Sequence, residues 1–200
     1  MADFRSIAAV GRSIERLLNA AFTDADPPVP GKTTRAALVT SDAFDPGAGG
    51  GFDAGSAGLS IFLYRIVPNA TMRAAWSAVG HVDGRSHLPV DLHYLCTAWA
   101  DNADWEHAIL GKTMQCLEDT PMLGGPLLAP SAGWAPTEAV QVLLGDVEIE
   151  TLLRIFDSFE SEYRLSVPYV ARVVRIDGAV ASPSPPATRV VSGAVPEARP

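Results

Sequence analysis

The sequence predicts one mixed α/β domain, α+β in layout, in which a single sheet is flanked by about three helices. Three observations carry that expectation. Leu88-Pro89-Val90-Asp91-Leu92-His93-Tyr94-Leu95-Cys96-Thr97-Ala98-Trp99-Ala100 puts Val90, Leu92, Tyr94 and Cys96 on one face and Asp91, His93, Leu95 and Thr97 on the other, and a helical stretch follows at once. Near the start, Ile7, Val10, Ile14, Leu17, Leu18 and Ala21 recur at helical spacing. At 200 residues the chain can enclose one real core and is too short for two comfortable ones.

Taken in order, the first helix runs for about five turns after Phe4 and ends at Asp26-Pro27-Pro28-Val29-Pro30. Residues 36–40 form a short apolar strand. Asp45-Pro46-Gly47-Ala48-Gly49-Gly50-Gly51 then predicts a mobile loop without regular structure, since glycine loses the most backbone entropy on ordering. Leu59, Ile61 and Leu63 alternate with Phe62, Tyr64 and Ile66, so this strand is apolar on both faces until Arg65 and belongs inside a sheet. A loop with Gly80, Asp83 and Gly84 leads to the strand at Leu88. Asn102 or Asp101 caps a helix ending near Leu117, with Asp104 and Glu106 in the first turn, where the helix dipole favours negative charge. Trp105, Ile109, Met114 and Leu117 are its expected sheet-facing residues.

Residues 120–136, with four prolines and three glycines, read as a long loop. Val140, Val142 and Leu144 alternate as a strand; Ile149, Leu152, Leu153, Phe156 and Phe159 mark a third helix. Residues 166–176 form the last strand. Pro168 lacks an amide donor, which predicts an edge position open to partner strands. Tyr169, Arg172, Val174 and Arg175 on that strand are the expected partner-binding residues. From Gly178 the chain is rich in Ala, Pro, Ser and Val with five prolines, so the folded domain is expected over 1–177 and a disordered tail over 178–200.

A formal net charge of −8, with Lys and Arg scattered singly, leaves no basic footprint for nucleic acid. No apolar run approaches bilayer length, and no basic start precedes an apolar segment, so a cytoplasmic protein is expected. Two cysteines, Cys96 and Cys116, are too few for a disulfide framework. Charged residues make up only 19% against 48% apolar, a low share for a surface wholly open to water, so partners are expected to cover part of it.

Several fragments imitate chemical motifs. Gly31-Lys32-Thr33 and Gly111-Lys112-Thr113 resemble the end of a phosphate-binding loop, but Asp26 and Glu106 stand where the motif needs a glycine. Ala54-Gly55-Ser56-Ala57-Gly58 imitates a nucleophile elbow with its first glycine replaced, in a linker context. His87, His93, Cys96 and His107 can be assembled on paper as zinc ligands, yet His93 and Cys96 point to opposite faces of one strand. Asp101, Asp104 and Glu106 are ordinary dipole complements. No acid/base pair can be nominated, and neither catalytic activity, cofactor nor metal is expected.

Ile61-Phe62-Leu63-Tyr64-Arg65-Ile66, Leu88-Pro89-Val90-Asp91-Leu92-His93-Tyr94-Leu95, Glu106-His107-Ala108-Ile109-Leu110-Gly111 and Ser166-Val167-Pro168-Tyr169 occur in one order along the chain. Together they resemble the N-terminal domain of the cap, or tail-terminator, proteins of phage-tail-like contractile injection systems. The resemblance spans about 4–177 of the sequence. It departs from the usual pattern at Met72-Arg73-Ala74 and His87-Leu88-Pro89. It implies a tail-terminator-like fold and a structural ring, a homohexamer, that closes the far end of the tube and sheath. The implied partners are other copies of itself and the inner tube and sheath proteins, with neither nucleic acid nor membrane, in the cytoplasm and then in the assembled particle. A soluble adaptor, or an enzyme with an unrecognised pocket, would share the same composition.

Overall fold

A computed structural model of the chain describes residues 2–24, 27–45, 47–53, 56–75, 84–159 and 161–180. Gly80 and Asp83, Ala54 and Gly55 of the elbow-like fragment, and all of the expected tail beyond Val180 lie outside them. Among the described residues are helices α1 (Ser6–Phe22), α2 (Ala70–Ala75), α3 (Ala103–Asp119) and α4 (Ile149–Asp157). The strands are β1 (Thr34–Val39), β2 (Ala57–Pro68), β3 (His87–Trp99), β4 (Met122–Gly124), β5 (Ala139–Leu144) and β6 (Ser166–Asp177). They form one sheet in the order β1-β2-β3-β6-β5-β4, in which β1 and β2 are parallel and every other pair is antiparallel.

The sheet is covered on both faces, as its alternation requires. On one side Leu59, Ile61, Leu92, Tyr94, Cys96, Ala171 and Val174 pack with Val10, Ile14 and Leu18 of α1 and Ile109 and Leu117 of α3. On the other, Leu95 and Trp99 pack with Leu152 and Phe156 of α4 and with Phe44. Asn102 caps α3 through its side-chain oxygen, which accepts from Trp105 N at 3.0 Å. Met114 does not face the sheet. Five residues past Ile109 it has rotated off the buried stripe, which is made by Ile109, Leu110, Thr113 and Leu117.

Two expected loops are packed structure. Phe44, in a 3₁₀ turn over Ser41–Phe44, stacks on Phe159 (ring centroids 5.2 Å) and meets Phe62, Phe156 and Trp99 edge-on or tilted at 5.5–5.9 Å. Gly50 follows in a second short turn, with φ +71°, and a Cβ there would lie 2.2 Å from the Trp99 ring. The glycine run, expected to lack regular structure, therefore holds a short turn seated on Trp99: the missing side chain of Gly50 lets backbone lie on an indole. Residues 120–136 form a strap containing β4, with Leu123, Leu128 and Ala132 buried. Ala129 N donates to Ser13 Oγ at 2.8 Å and Trp134 Nε1 donates to Ala129 O at 2.7 Å.

The edge position expected for the last strand is overturned. β6 lies inside the sheet between β3 and β5. Proline is tolerated there because β5 stops at Leu144, opposite Tyr169, and the chain beyond it binds back through Gly145 N donating to Pro168 O at 2.8 Å. β2, expected inside the sheet from its apolar faces up to Arg65, is interior only in its first half. β1 ends opposite Phe62, so residues 63–68 pair with β3 alone and Ile66 is 46% exposed. The outer edge of β1 is closed by α1: the Asn19 amide donates to Ala36 O and accepts from Ala36 N, both at 2.9 Å, as a neighbouring strand would. Asp177 N donates to Ala2 O at 2.8 Å and Gly178 N to Ser86 O at 2.8 Å, so backbone pairing extends to the start of the expected tail.

Candidate assembly surface

Several buried polar side chains are occupied with one another, while the hydroxyls of Ser6, Thr34 and Tyr94 have no hydrogen-bond partner among the described residues. Thr97 and Ser166 share a hydroxyl contact at 2.7 Å, Trp99 Nε1 donates to Ser60 Oγ at 2.9 Å, and Ser60 donates to Thr97 O at 3.3 Å, which ties β2, β3 and β6 together. A second network runs from Glu138 through Arg175 (2.9 Å) to Asp177 (2.8 Å) and on to His87 Nδ1 (2.6 Å). It joins the start of β5, the end of β6, the start of β3 and, through Asp177 N, the N-terminal residues. Such a network sets register, and its Glu138 and Arg175, which border a cleft, are engaged with each other.

The residues suggested by motif imitation are not brought together. Lys32 pairs with Asp101 and lies over the Trp105 ring at 4.8 Å; Lys112 is inside α3. Cys96 is enclosed in the core, where burial pushes its thiol up to about 12. His93 sits on the other face against Tyr64, ring centroids 6.0 Å apart, and burial followed by the Arg65 charge lowers its pKa. His107 is exposed on α3. Among the described residues no group of three metal-ligating side chains gathers, and no helix is long and apolar enough to cross a membrane.

The clefts are open and mixed in character. One of about 460 Å³ is floored by Phe44 and Trp99 and rimmed by Asp45, Glu162 and Arg164. Arg164 lies over the Trp99 ring at 4.3 Å and pairs with Glu106 at 3.3 Å, which spends its charge on the fold. Another of about 260 Å³ borders Trp134, Glu138, Val173 and Arg175, beside the half of β6 that β5 does not reach.

Of the four residues expected to bind partners, Tyr169 and Val174 are core, packed beneath the helices, and Arg175 is engaged by Glu138 and Asp177. Arg172 is exposed. The surface features that sequence reasoning missed are apolar. Leu144, Ile149 and Leu153 are 56, 51 and 40% exposed around the turn into α4, and Phe4 is 77% exposed before α1. The periodicity of α4 is legible in the sequence but hides that Leu152, Phe156 and Phe159 of its stripe pack on the core while Ile149 and Leu153 do not. A surface of this kind, without reactive groups, suits contact with other proteins.

A sequence profile described as the Pvc16 N-terminal domain matches residues 9–189. The chain belongs to the Pvc16 N-terminal domain family. Its fold is similar to that of the sheath/tube terminator of PVC, an extracellular contractile injection system, in the extended state: TM-score 0.58, 22% identity, over 96% of this chain and 64% of that one. It is also similar to the tube-terminating cap of the anti-feeding prophage AFP: TM-score 0.56, 19% identity, over 93% of this chain and 60% of that one. This member of the Pvc16 N-terminal domain family thus spans somewhat less than two thirds of the length of those terminators. No curated protein matches the sequence.

Proposed function

We propose that this domain is a structural subunit of a terminator that closes the end of the tube and sheath of a contractile injection system, not an enzyme. The observation that carries the reading is the family match over 9–189 together with a shared fold across nearly the whole chain. The surface supports it: the polar groups of Ser60, Thr97, Trp99 and Ser166 are spent on one another, while large apolar side chains stand in the open. The subunits form a homohexameric ring, assembled in the cytoplasm and then carried on the particle, and their partners are the tube and sheath proteins. Arg172, exposed on β6, is a contact to one of these partners, with Tyr169, Val174 and Arg175 holding its strand in place from within. Nucleic acid and membrane have no part in it.

The test is particle length. Particles assembled without the protein should have uncapped tubes of irregular length in electron micrographs, and adding back the full chain should restore a narrow length distribution. Capped particles of normal length in its absence would overturn the reading.

A further inference from the structure

The exposed face of α1 is a stripe at four-residue spacing, Ala8, Arg12, Arg16 and Ala20, with Phe4 one turn before it. Both guanidiniums are held by neutral acceptors. Arg12 Nη2 donates to Ser131 Oγ at 2.8 Å, and Arg16 Nη2 donates to Pro126 O at 2.7 Å and Leu127 O at 3.0 Å. Neither has a carboxylate partner among the described residues, so each keeps its full charge and further donors.

On the opposite side of the sheet lies the complement. Ile149 and Leu153, one turn apart on α4, face away from the core that Leu152 and Phe156 enter, and Leu144 stands at the turn before them. Asp146, Glu148, Glu150 and Asp157 surround this apolar ridge, all exposed and none in an ion pair among the described residues; Arg154 is the one cation on the helix. The stripe and the ridge belong to helices packed on opposite faces of one sheet, so they cannot meet within a molecule. Stripe on stripe or ridge on ridge would set like charges against each other, which excludes a symmetric dimer through either patch.

We propose that the α4 ridge of one copy docks on the α1 stripe of the next, a head-to-tail contact that repeats from copy to copy. Contacts of this class close into rings when the rotation permits. The proposal rests on the terminator reading for its closed product, and it assigns the neighbour contact of the ring to Leu144, Ile149 and Leu153 against the Phe4, Arg12 and Arg16 surface.

The test uses the full chain and two charge-reversed variants, Arg12→Glu/Arg16→Glu and Glu148→Arg/Glu150→Arg, with circular dichroism to confirm folding and sedimentation velocity to read association. All four positions are exposed; the Arg12/Arg16 variant also gives up its hydrogen bonds to the strap, so a third variant, Arg12→Gln/Arg16→Gln, which loses charge without reversing it, should associate more strongly than the reversed one at equal folding. Wild-type protein should associate, less so as salt rises. Each reversed variant alone should associate on the order of 100-fold more weakly, because like charges then face each other. An equimolar mixture should recover, since the acidic stripe of one variant meets the basic ridge of the other. Variants that assemble like wild type, a loss in only one of the two, a mixture that stays apart, or a wild-type chain monomeric at high concentration would each overturn the proposal. If the variants form rings and particles keep their normal length, the contact is misassigned and the terminator reading stands. If particle length is indifferent to the wild-type protein, it is the terminator reading that falls.

Discussion

Gly50 shows how much one missing side chain can decide. Its φ of +71° is strained for any L residue, and a Cβ would sit 2.2 Å from the Trp99 ring, which neighbouring aromatics hold in place. Gly50→Ala should cost about 2–4 kcal/mol in chemical denaturation, and an unchanged midpoint would refute this packing. Tyr94 presents the opposite case. Its hydroxyl is buried with no hydrogen-bond partner among the described residues, and burial raises its pKa strongly. Tyr94→Phe removes a desolvated group at little cost in volume, so stability should be unchanged or rise by about 1–2 kcal/mol; a loss larger than 1 kcal/mol on that scale would show a partner for the hydroxyl. Cys96 adds a pH signature. Its thiol is raised to about 12 by burial, so the folded state retains a proton that the unfolded state gives up from about pH 9 upward. Its contribution to stability is complete below that point and is lost as pH climbs toward the folded value. Native protein should therefore be labelled by a thiol reagent at half-buried Cys116, with Cys96 reacting only on unfolding; equal native labelling of both would contradict the core geometry.

Strand placement changes what a substitution means at the scale of the element. Were β6 an edge, a proline in it could remove an outward donor and leave the fold intact. It is flanked instead by β3 and β5, with Val170 opposite both His93 and Leu143. Val170→Pro should then break a ladder in the sheet interior, cost at least about 3 kcal/mol and give insoluble or unfolded protein; a folded, soluble variant with native circular dichroism would count against the strand order. Among the described residues, the far half of β2 is an edge, where Ile66 is exposed and β1 no longer pairs. That position depends on β1 being short, a length the β2 sequence does not contain. Asn19 likewise looks like a polar interruption of α1 until its amide is seen pairing with Ala36 on the edge of β1.

For the whole molecule, cohesion comes from ties between distant parts: the 120–136 strap is held to α1 through Ser13, Arg12 and Arg16, and the N-terminal residues are held to the end of β6 through Asp177. We propose that the segment beyond Val180 adds nothing to this cohesion, given its proline content. A chain ending at Val180 should melt within about 2 °C of the full chain, and a drop above 5 °C on that scale would place the segment on the domain. A cut after Asp177 is a different experiment, because it also removes the Gly178 to Ser86 bond.

The sequence by itself determined the elements whose burial is local in pattern. The stripe of α1, the alternation of β3 and the cap of α3, at Asn102 of the two residues Asp101 and Asn102 that could supply it, each arise from residues within a few turns or pairs of one another, and all are present. The ordered motifs, from Ile61-Phe62-Leu63-Tyr64-Arg65-Ile66 to Ser166-Val167-Pro168-Tyr169, likewise pointed to the family that the chain belongs to. Only the tertiary structure decided which strand neighbours which. Alternation states which faces are buried, but the backbone groups that pair strands are the same in every residue, so Pro168 could argue for an edge and still sit opposite the end of a short neighbour. The exposed half of the α4 stripe and the packed glycine turn have the same origin. Whether Leu153 meets water or Gly50 meets an indole depends on what other segments bring to that place, and no local spacing records it.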